Sequence, residues 1–593
     1  MRIKDIGFYY TWVTVVLLLS ASGTGRAQVA SDPYVPCQEM PNLIVNYRAD
    51  AEAVTRFYNS AFYGTRFRGD GAVSPVLRSR LGNLDREYLA KLDQVDFTGL
   101  PQECKADYIL FRRDLYEKLR LLAVDSGRYE KVRSWFPFAD SIYALERLRR
   151  RGHPLDASSV ARQWSDAAAR VGVLGAQLKK DSSLGLEALY EAGLVAGDLK
   201  RAIGSIYEFY NGYDPLFTWW VPANYKALNE ALTEYANEFK DRKARWAAAD
   251  KSGIAGRPVG REELLRQLQY EMIPYTPEEL IGIANKEFAW CDKEMLKASR
   301  DMGFGDNWKA ALEKVKNSYV PPGQQPEMIL GLFSESVDFL KKHDLVTIPP
   351  LDEETWGMIM MTPERQRVNP FFTGGDEISI SYPTDSMSEE DRMMSMRGNN
   401  PHFSRATVHH ELIAGHNLQS FMNERYRSYR DFGSGFWTEG WSLYWELLLW
   451  DMKFPQTPED RIGMLFWHMH RCARIIFSLN YHLGNWSPQQ CIDFLVDRVG
   501  HERANAAGEV RRSFETSYPP LYQLAYLTGG RQFYALKTEL VDGGKMSYRQ
   551  FHDTILKLNA MPVEMVRAIL EGLPLDKEYK AKWRFYEGMR LPE

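Results

Sequence analysis

From about residue 31 to residue 340, apolar side chains recur at helical intervals. Tyr108, Phe111, Leu115, Leu119 and Leu122 form one such stripe, with charged residues between them. The same pattern continues from Leu155 to Phe209 with short interruptions. A helix from about Arg261 to Tyr270 should stop before Pro274, and Pro277-Glu278-Glu279 reads as the start of the next, proline first and acids behind it. The period then changes. Between Lys342 and Asp385, the runs Asp344–Pro350 and Asp376–Pro383 are short, β-branched and closed by proline, which predicts two or more strands. Helical spacing returns over 403–420 and 437–450 and continues to the C-terminus, with breaks near Pro455, Pro488, Pro519-Pro520 and Gly543-Gly544. Gly529-Gly530 also reads as a turn. No linker rich in Ser, Gly or Pro divides the chain. The expected fold is a mainly α body in which a helical scaffold, 28–340, is continuous with a catalytic half, 341–593, that carries a small sheet.

The first 27 residues differ from the rest. A weakly positive start, an apolar stretch from Val13 to Leu19 and small residues up to Ala27 suit a secretory signal peptide at 1–27. That makes the protein exported, periplasmic or secreted. No other segment is long and apolar enough to span a bilayer, so no stable membrane span is expected after cleavage. With 74 basic and 78 acidic residues the net charge is −4, and so near a balance argues against nucleic acid as a partner. The five cysteines are scattered, with no CxxC pair and no spacing for a thiolate metal site, though Cys472 and Cys491 could be helix-packed neighbours able to bridge.

The chemistry concentrates in Val408-His-His-Glu-Leu-Ile-Ala-Gly-His-Asn-Leu-Gln419. A His followed at once by Glu, with another His later on the helix, is the pattern of a metal site with an adjacent general base. The spacing is unusual. His410 and His416 are six residues apart, which on a straight helix leaves them about 120° out of phase. His409 and His416 share a face but lie ~10 Å apart along the axis. Either pair needs a distorted turn, and Gly415 is where it costs least. Glu411 directly after His410 favours His410 and His416. The best third ligand is Glu439, a lone acid in the aromatic run Phe436-Trp-Thr-Glu-Gly-Trp-Ser-Leu-Tyr-Trp-Glu446, where an unpaired carboxylate would be costly to bury. Glu446, two turns on, is placed to brace a ligand histidine.

His410-Glu-Leu-Ile-Ala-Gly-His416-Asn-Leu-Gln419, followed by Glu439-Gly-Trp-Ser-Leu-Tyr444, resembles the bacterial family filed as "domain of unknown function 885". That family carries His-Glu-x-x-Pro-Gly-His-x-x-Gln and a later Glu-Gly-Trp-x-x-Tyr, and is grouped with zinc metallopeptidases of the glutamate-zincin type, often exported. The resemblance covers about residues 50 to 575. It implies a multi-helix zincin-like metallopeptidase body, one zinc ion, His410, His416 and Glu439 as its ligands and Glu411 as general base. The chain departs from the family at three places. Ala414 replaces proline, Ser478-Leu-Asn-Tyr-His482 keeps only the histidine of an Asp-x-Gly-x-His element, and Pro520-Leu-Tyr-Gln-Leu-Ala-Tyr526 keeps the first proline and last tyrosine of a Pro-Gly-Gln-x-x-x-Tyr pattern.

Amide hydrolysis needs a second electrophile for the developing oxyanion, and His482 and Tyr526 are the candidates. Arg471, Arg474, Arg511 and Arg512 could each anchor a substrate carboxylate. His402, His409, His468 and His470 read as neighbours rather than ligands, and the last two point about 200° apart on a helix. The expected activity is zinc-dependent hydrolysis of a small peptide or related amide. The alternatives are a non-catalytic peptide-binding protein on a metallopeptidase fold and a di-iron carboxylate oxygenase. The last wants Glu-x-x-His pairs, which this chain lacks.

Overall fold

The computed structural model describes residues 39–58, 74–366, 371–381, 383–515, 518–589 and 591. The expected signal peptide at 1–27 lies outside them. Helices dominate, with one two-stranded parallel sheet formed by Gly357–Met360 and Glu377–Ile380. No helix among the described residues is long and apolar enough to cross a membrane.

Local sequence explains most helix ends. The helix Arg261–Tyr270 ends where it was expected. The helix Pro277–Asp301 starts on Pro277, with Thr276 and Glu279 exchanging the two hydrogen bonds of a capping box. The same device opens the helix Pro458–His482 through Thr457 and Asp460. The stretch read as helical from Leu155 to Phe209 divides into Ala157–Lys180 and Leu186–Tyr210, and these pack with Pro222–Ala247 around a core that includes Trp164, Leu199, Phe217 and Phe239. A second apolar cluster joins Met40, Tyr88 and Phe111 near the N-terminus to Trp437, Trp441, Phe533 and Phe551. A third joins Phe288 and Met295 to Phe466, Leu479 and Leu524. Trp437, Trp441 and Trp445 are fully buried on one helix, Gly435–Asp451. At about 25 cal/mol per Å², each large side chain so buried contributes roughly 2–3 kcal/mol.

Two local readings are corrected. Asp344–Pro350 is not a strand. Its chain is instead tied to the helix Tyr548–Leu558, the Leu345 carbonyl lying 2.7 Å from His552 Nδ1 and the Thr347 N–H donating to Asp553. Side chains rather than a neighbouring strand satisfy this backbone, and the partner of Glu377–Ile380 is Gly357–Met360. Gly529-Gly530 is not a turn either. Both glycines lie inside the buried helix Tyr522–Lys537, where a Cβ on Gly440 of the facing helix would come within 2.7 Å of Gly529 Cα. The glycines therefore let the helices Gly435–Asp451 and Tyr522–Lys537 approach backbone to backbone.

Three buried histidines outside the site make the fold acid-sensitive. Burial pushes His482 down to about 4, and His501 and His552 down to about 3. An unfolded histidine titrates near 6.5. Above that pH neither state carries the proton, and these rings do not affect stability. As the pH falls from about 6.5 towards 4, the unfolded chain takes up protons that the native state refuses, so stability falls. The urea midpoint is expected to drop steadily over this window. A midpoint unchanged between about pH 7 and about pH 5 would contradict three buried neutral rings.

Candidate functional site

The helix Pro401–Glu411 ends on the expected base, and the next helix, His416–Arg425, begins on the expected second ligand. Asn400 caps the first of these by accepting from the N–H groups of His402 and Phe403. Between them the chain breaks over Leu412–Gly415, with a cis peptide joining Ile413 to Ala414. A Cβ on Gly415 would sit 1.9 Å from the His410 carbonyl oxygen and 2.5 Å from that of His409. Only glycine lets the chain fold back this closely. The Trp441 indole N–H donates to the Ala414 carbonyl at 2.9 Å and holds the break in place. The 120° phase error of a straight helix is thereby removed. The His410 and His416 rings stand 4.8 Å apart between centroids, at 85° to one another.

Both rings converge on Glu439. His410 Nε2 lies 3.5 Å and His416 Nε2 3.1 Å from Glu439 Oε2. Two ligand atoms, each 2.0–2.1 Å from a tetrahedral zinc, lie about 3.3 Å apart, so these separations fit a common ion. The opposite ring nitrogens are also engaged. His410 Nδ1 is 2.7 Å from Glu446 Oε1, and His416 Nδ1 is 3.2 Å from the Ser442 hydroxyl. Such partners fix a ligand imidazole's orientation and tautomer. Burial disfavours the His410 cation, but Glu439 and Glu446 outweigh it and push the ring up to about 9. Glu439 is held well below the carboxylate range, despite burial, by His416 and His410. Glu446 is likewise lowered to about 2, against its burial, by Arg471 and His410. The donor set is thus one that favours a positive charge at its centre.

A cavity of about 420 Å³ opens over these residues, within the range of roughly 300–1,000 Å³ typical of small-ligand sites. Glu411 lines it, and its Oε2 accepts the Gly374 N–H. The opposite wall comes from the helix Tyr522–Lys537. The Tyr522 hydroxyl donates to Glu439 Oε1 and lies 3.1 Å from the Tyr526 hydroxyl. Burial, and then the Glu439 charge, push Tyr526 up to about 12 and Tyr522 higher still, so both stay protonated donors. Arg471 and Arg474 stack their guanidinium groups 4.9 and 4.4 Å from the centre of the Tyr526 ring, and Arg512 donates to its hydroxyl at 3.4 Å.

A family model described as "Bacterial protein of unknown function (DUF885)" matches residues 71–570. The chain belongs to that family. Among solved structures it is similar to a protein from Shewanella oneidensis described as a lipoprotein of unknown function. The TM-score is 0.63 at 18% identity, over 90% of this chain and 99% of that one. It is also similar to a protein from Colwellia psychrerythraea described as a lipoprotein, with a TM-score of 0.53 at 14% identity over 90% and 98% of the two chains. No curated protein matches. These likenesses show a shared fold.

Within this family member the expected site residues do not all meet. His410, Glu411, His416, Glu439 and Tyr526 line one cavity. His482 does not line it. It sits eleven residues beyond Arg471 on the same helix, roughly 16 Å along the axis, against Phe514, with Nδ1 buried and unpartnered. Of the four arginines, Arg471, Arg474 and Arg512 reach the cavity, whereas Arg511 pairs with Glu515. Arg471 and Arg474 are themselves tied, at 3.2 Å to Glu446 and 2.7 Å to Glu509. His409 is buried against Phe454, outside the His410–His416–Glu439 group. His402 pairs with Asp460, His468 with Glu287 and His470 with His501. The strand Glu377–Ile380 does not line the cavity; the preceding segment, Phe371 to Gly374, does.

Tyr522 joins the site beyond the sequence expectation, and the i,i+4 spacing to Tyr526 on one helix face is the signal that marks it. The cysteines also fall otherwise than expected. Cys472 does not face Cys491, whose Sγ lies 3.7 Å from the Phe477 carbonyl. Neither is in a disulfide, and Cys472 clusters with Cys291 and His468. Among the described residues two groups could therefore hold a metal, His410–His416–Glu439 and Cys291–His468–Cys472.

Proposed function

We propose that this protein is an exported zinc-dependent hydrolase of the metallopeptidase type, acting on small peptides or related amides. One observation carries the reading. Two imidazole Nε2 atoms from separate helices, each with its other nitrogen engaged, converge on one carboxylate oxygen at ligand spacing. His410, His416 and Glu439 would hold the ion, and zinc so held would lower the pKa of a water and polarise a carbonyl. Glu411 takes a proton from the attacking water and delivers it to the leaving amine. Tyr526, protonated and braced by three arginines, donates to the developing oxyanion. Tyr522 stays on Glu439 and orients that ligand. The cationic wall of Arg471, Arg474 and Arg512 suits a substrate that carries a carboxylate. The two structural relatives described as lipoproteins support a location outside the cytoplasm.

The test compares metal content and turnover. Wild type purified without chelator is expected to carry one more zinc per chain than Glu439→Ala, and only wild type should hydrolyse short peptides. Equal zinc in the two proteins would remove Glu439 from the ligand set. A full difference in zinc without cleavage of any free or end-blocked peptide would favour a peptide-binding protein instead.

A further inference from the structure

Away from the cavity, the helices Pro277–Asp301 and Pro458–His482 pack face to face. Each presents a pair of polar or thiol side chains four residues apart, and so on one face: Glu287 and Cys291 on the first, His468 and Cys472 on the second. Cys291, His468 and Cys472 are buried and bring one donor atom each within 4.8 Å of one another. Donors bound to one ion at about 2.0–2.3 Å lie roughly 3.5–4 Å apart, so closing on a cation takes shifts of less than about 1 Å.

The imidazole is already aimed. His468 Nε2 lies 2.8 Å from Glu287 Oε2, which leaves Nδ1 as the nitrogen available to the thiols. Glu287 is in turn held by the Arg531 guanidinium at 2.5 Å. A carboxylate on the far nitrogen is the usual support of a metal-binding histidine. Two buried thiols need no such support if they serve only as small apolar fillers, and a wholly buried Glu287–Arg531 ion pair is expensive in a core. No residue is shared with the His410–His416–Glu439 group.

We propose that Cys291, His468 and Cys472 form a second metal site, taking one thiophilic cation of the Cu⁺ or Zn²⁺ class and clipping the two helices together. On binding, each thiol gives up its S–H proton and His468 its Nδ1 proton to solvent, the two thiolates and the neutral Nδ1 coordinate the ion, and no oxidation is involved. Soft thiolate donors select these ions, and a three-donor set suits Cu⁺ better than four-coordinate Zn²⁺.

The proposal is tested on full-length protein, reduced and freed of metal, independently of any hydrolysis. Titration with Cd²⁺ is expected to give a thiolate-to-metal charge-transfer band that saturates by two equivalents in wild type, where the cavity takes the other ion, and by one in Glu439→Gln. The band should persist in Glu439→Gln, which weakens the cavity site, and be lost in Cys472→Ser. No band in wild type, or an undiminished band in Cys472→Ser, would overturn the site. So would a mass two hydrogens low from a Cys291–Cys472 disulfide in the protein as isolated. Should Cys472→Ser fail to fold, X-ray absorption on Glu439→Gln loaded with one equivalent of Cu⁺ or Zn²⁺ decides. Two sulfurs and one imidazole around either ion support the site, and a shell of nitrogen and oxygen alone rejects it. Loss of the cavity zinc would leave all these readouts unaffected, so the two metal assignments fail separately.

Discussion

Glu411→Gln is expected to lower kcat for any hydrolysed peptide by about 10²–10⁴-fold while leaving the zinc content unchanged. The substitution keeps the shape of the side chain, and an amide oxygen can still accept the Gly374 N–H that holds the carboxylate at the cavity wall. It removes only the capacity to take up a proton. The proposed ligands His410, His416 and Glu439 are untouched, as are Glu446 and Ser442 behind them. Parallel measurement of metal content and single-substrate kinetics separates the outcomes. Turnover equal to wild type would take Glu411 out of the chemistry. A simultaneous loss of metal would mean that the variant damages the site rather than the proton transfer.

The second large effect is expected at a residue without a side chain. Gly415→Ala places a methyl group where the carbonyl oxygens of His410 and His409 already are, 1.9 and 2.5 Å away. Those atoms are backbone and cannot rotate aside, so the turn must open. Opening it moves His416 relative to His410, because the two flank the turn on successive helices. The expected result is loss of the cavity metal together with a destabilisation of about 2–4 kcal/mol, in the range of a strained or overpacked backbone site. Urea denaturation and metal analysis of the same preparation provide the check. A variant that is as stable as wild type and holds its zinc would show that the break does not depend on glycine.

The sequence announced the site better than the surrounding fold. His410, Glu411, His416 and Glu439 were legible because metal chemistry restricts residue types and spacing, and Gly415 was legible because six-residue spacing requires a broken helix. Helix starts at Pro277 and Pro458 were written locally in prolines and caps. The strand Gly357–Met360 was not legible, since it contains two methionines and no β-branched alternation beyond Ile359, and takes its form from pairing with Glu377–Ile380. Asp344–Pro350 had the composition of a strand but found its hydrogen bonds on a helix. His482 kept a place in a motif while lying too far along its helix to reach the cavity. Cys291 and Cys472 meet across 181 positions of sequence, a distance no spacing rule covers. Local rules carried where the constraint was local, and failed where a distant segment supplied the partner.

The glycine contact between the helices Gly435–Asp451 and Tyr522–Lys537 also sets the tempo of the site. Backbones packed that closely have no side-chain layer to slide on, so Glu439 and Tyr522 travel as parts of one stiff unit. The opposite side of the ligand set hangs on a four-residue turn between two helix ends. That turn is no hinge, for Leu412, Ile413 and Ala414 are wholly buried, and its amides, like those around Gly440 and Gly529, should be among the last to exchange with solvent. A bound ion would then exchange slowly, since both sides of its site are parts of the packed core.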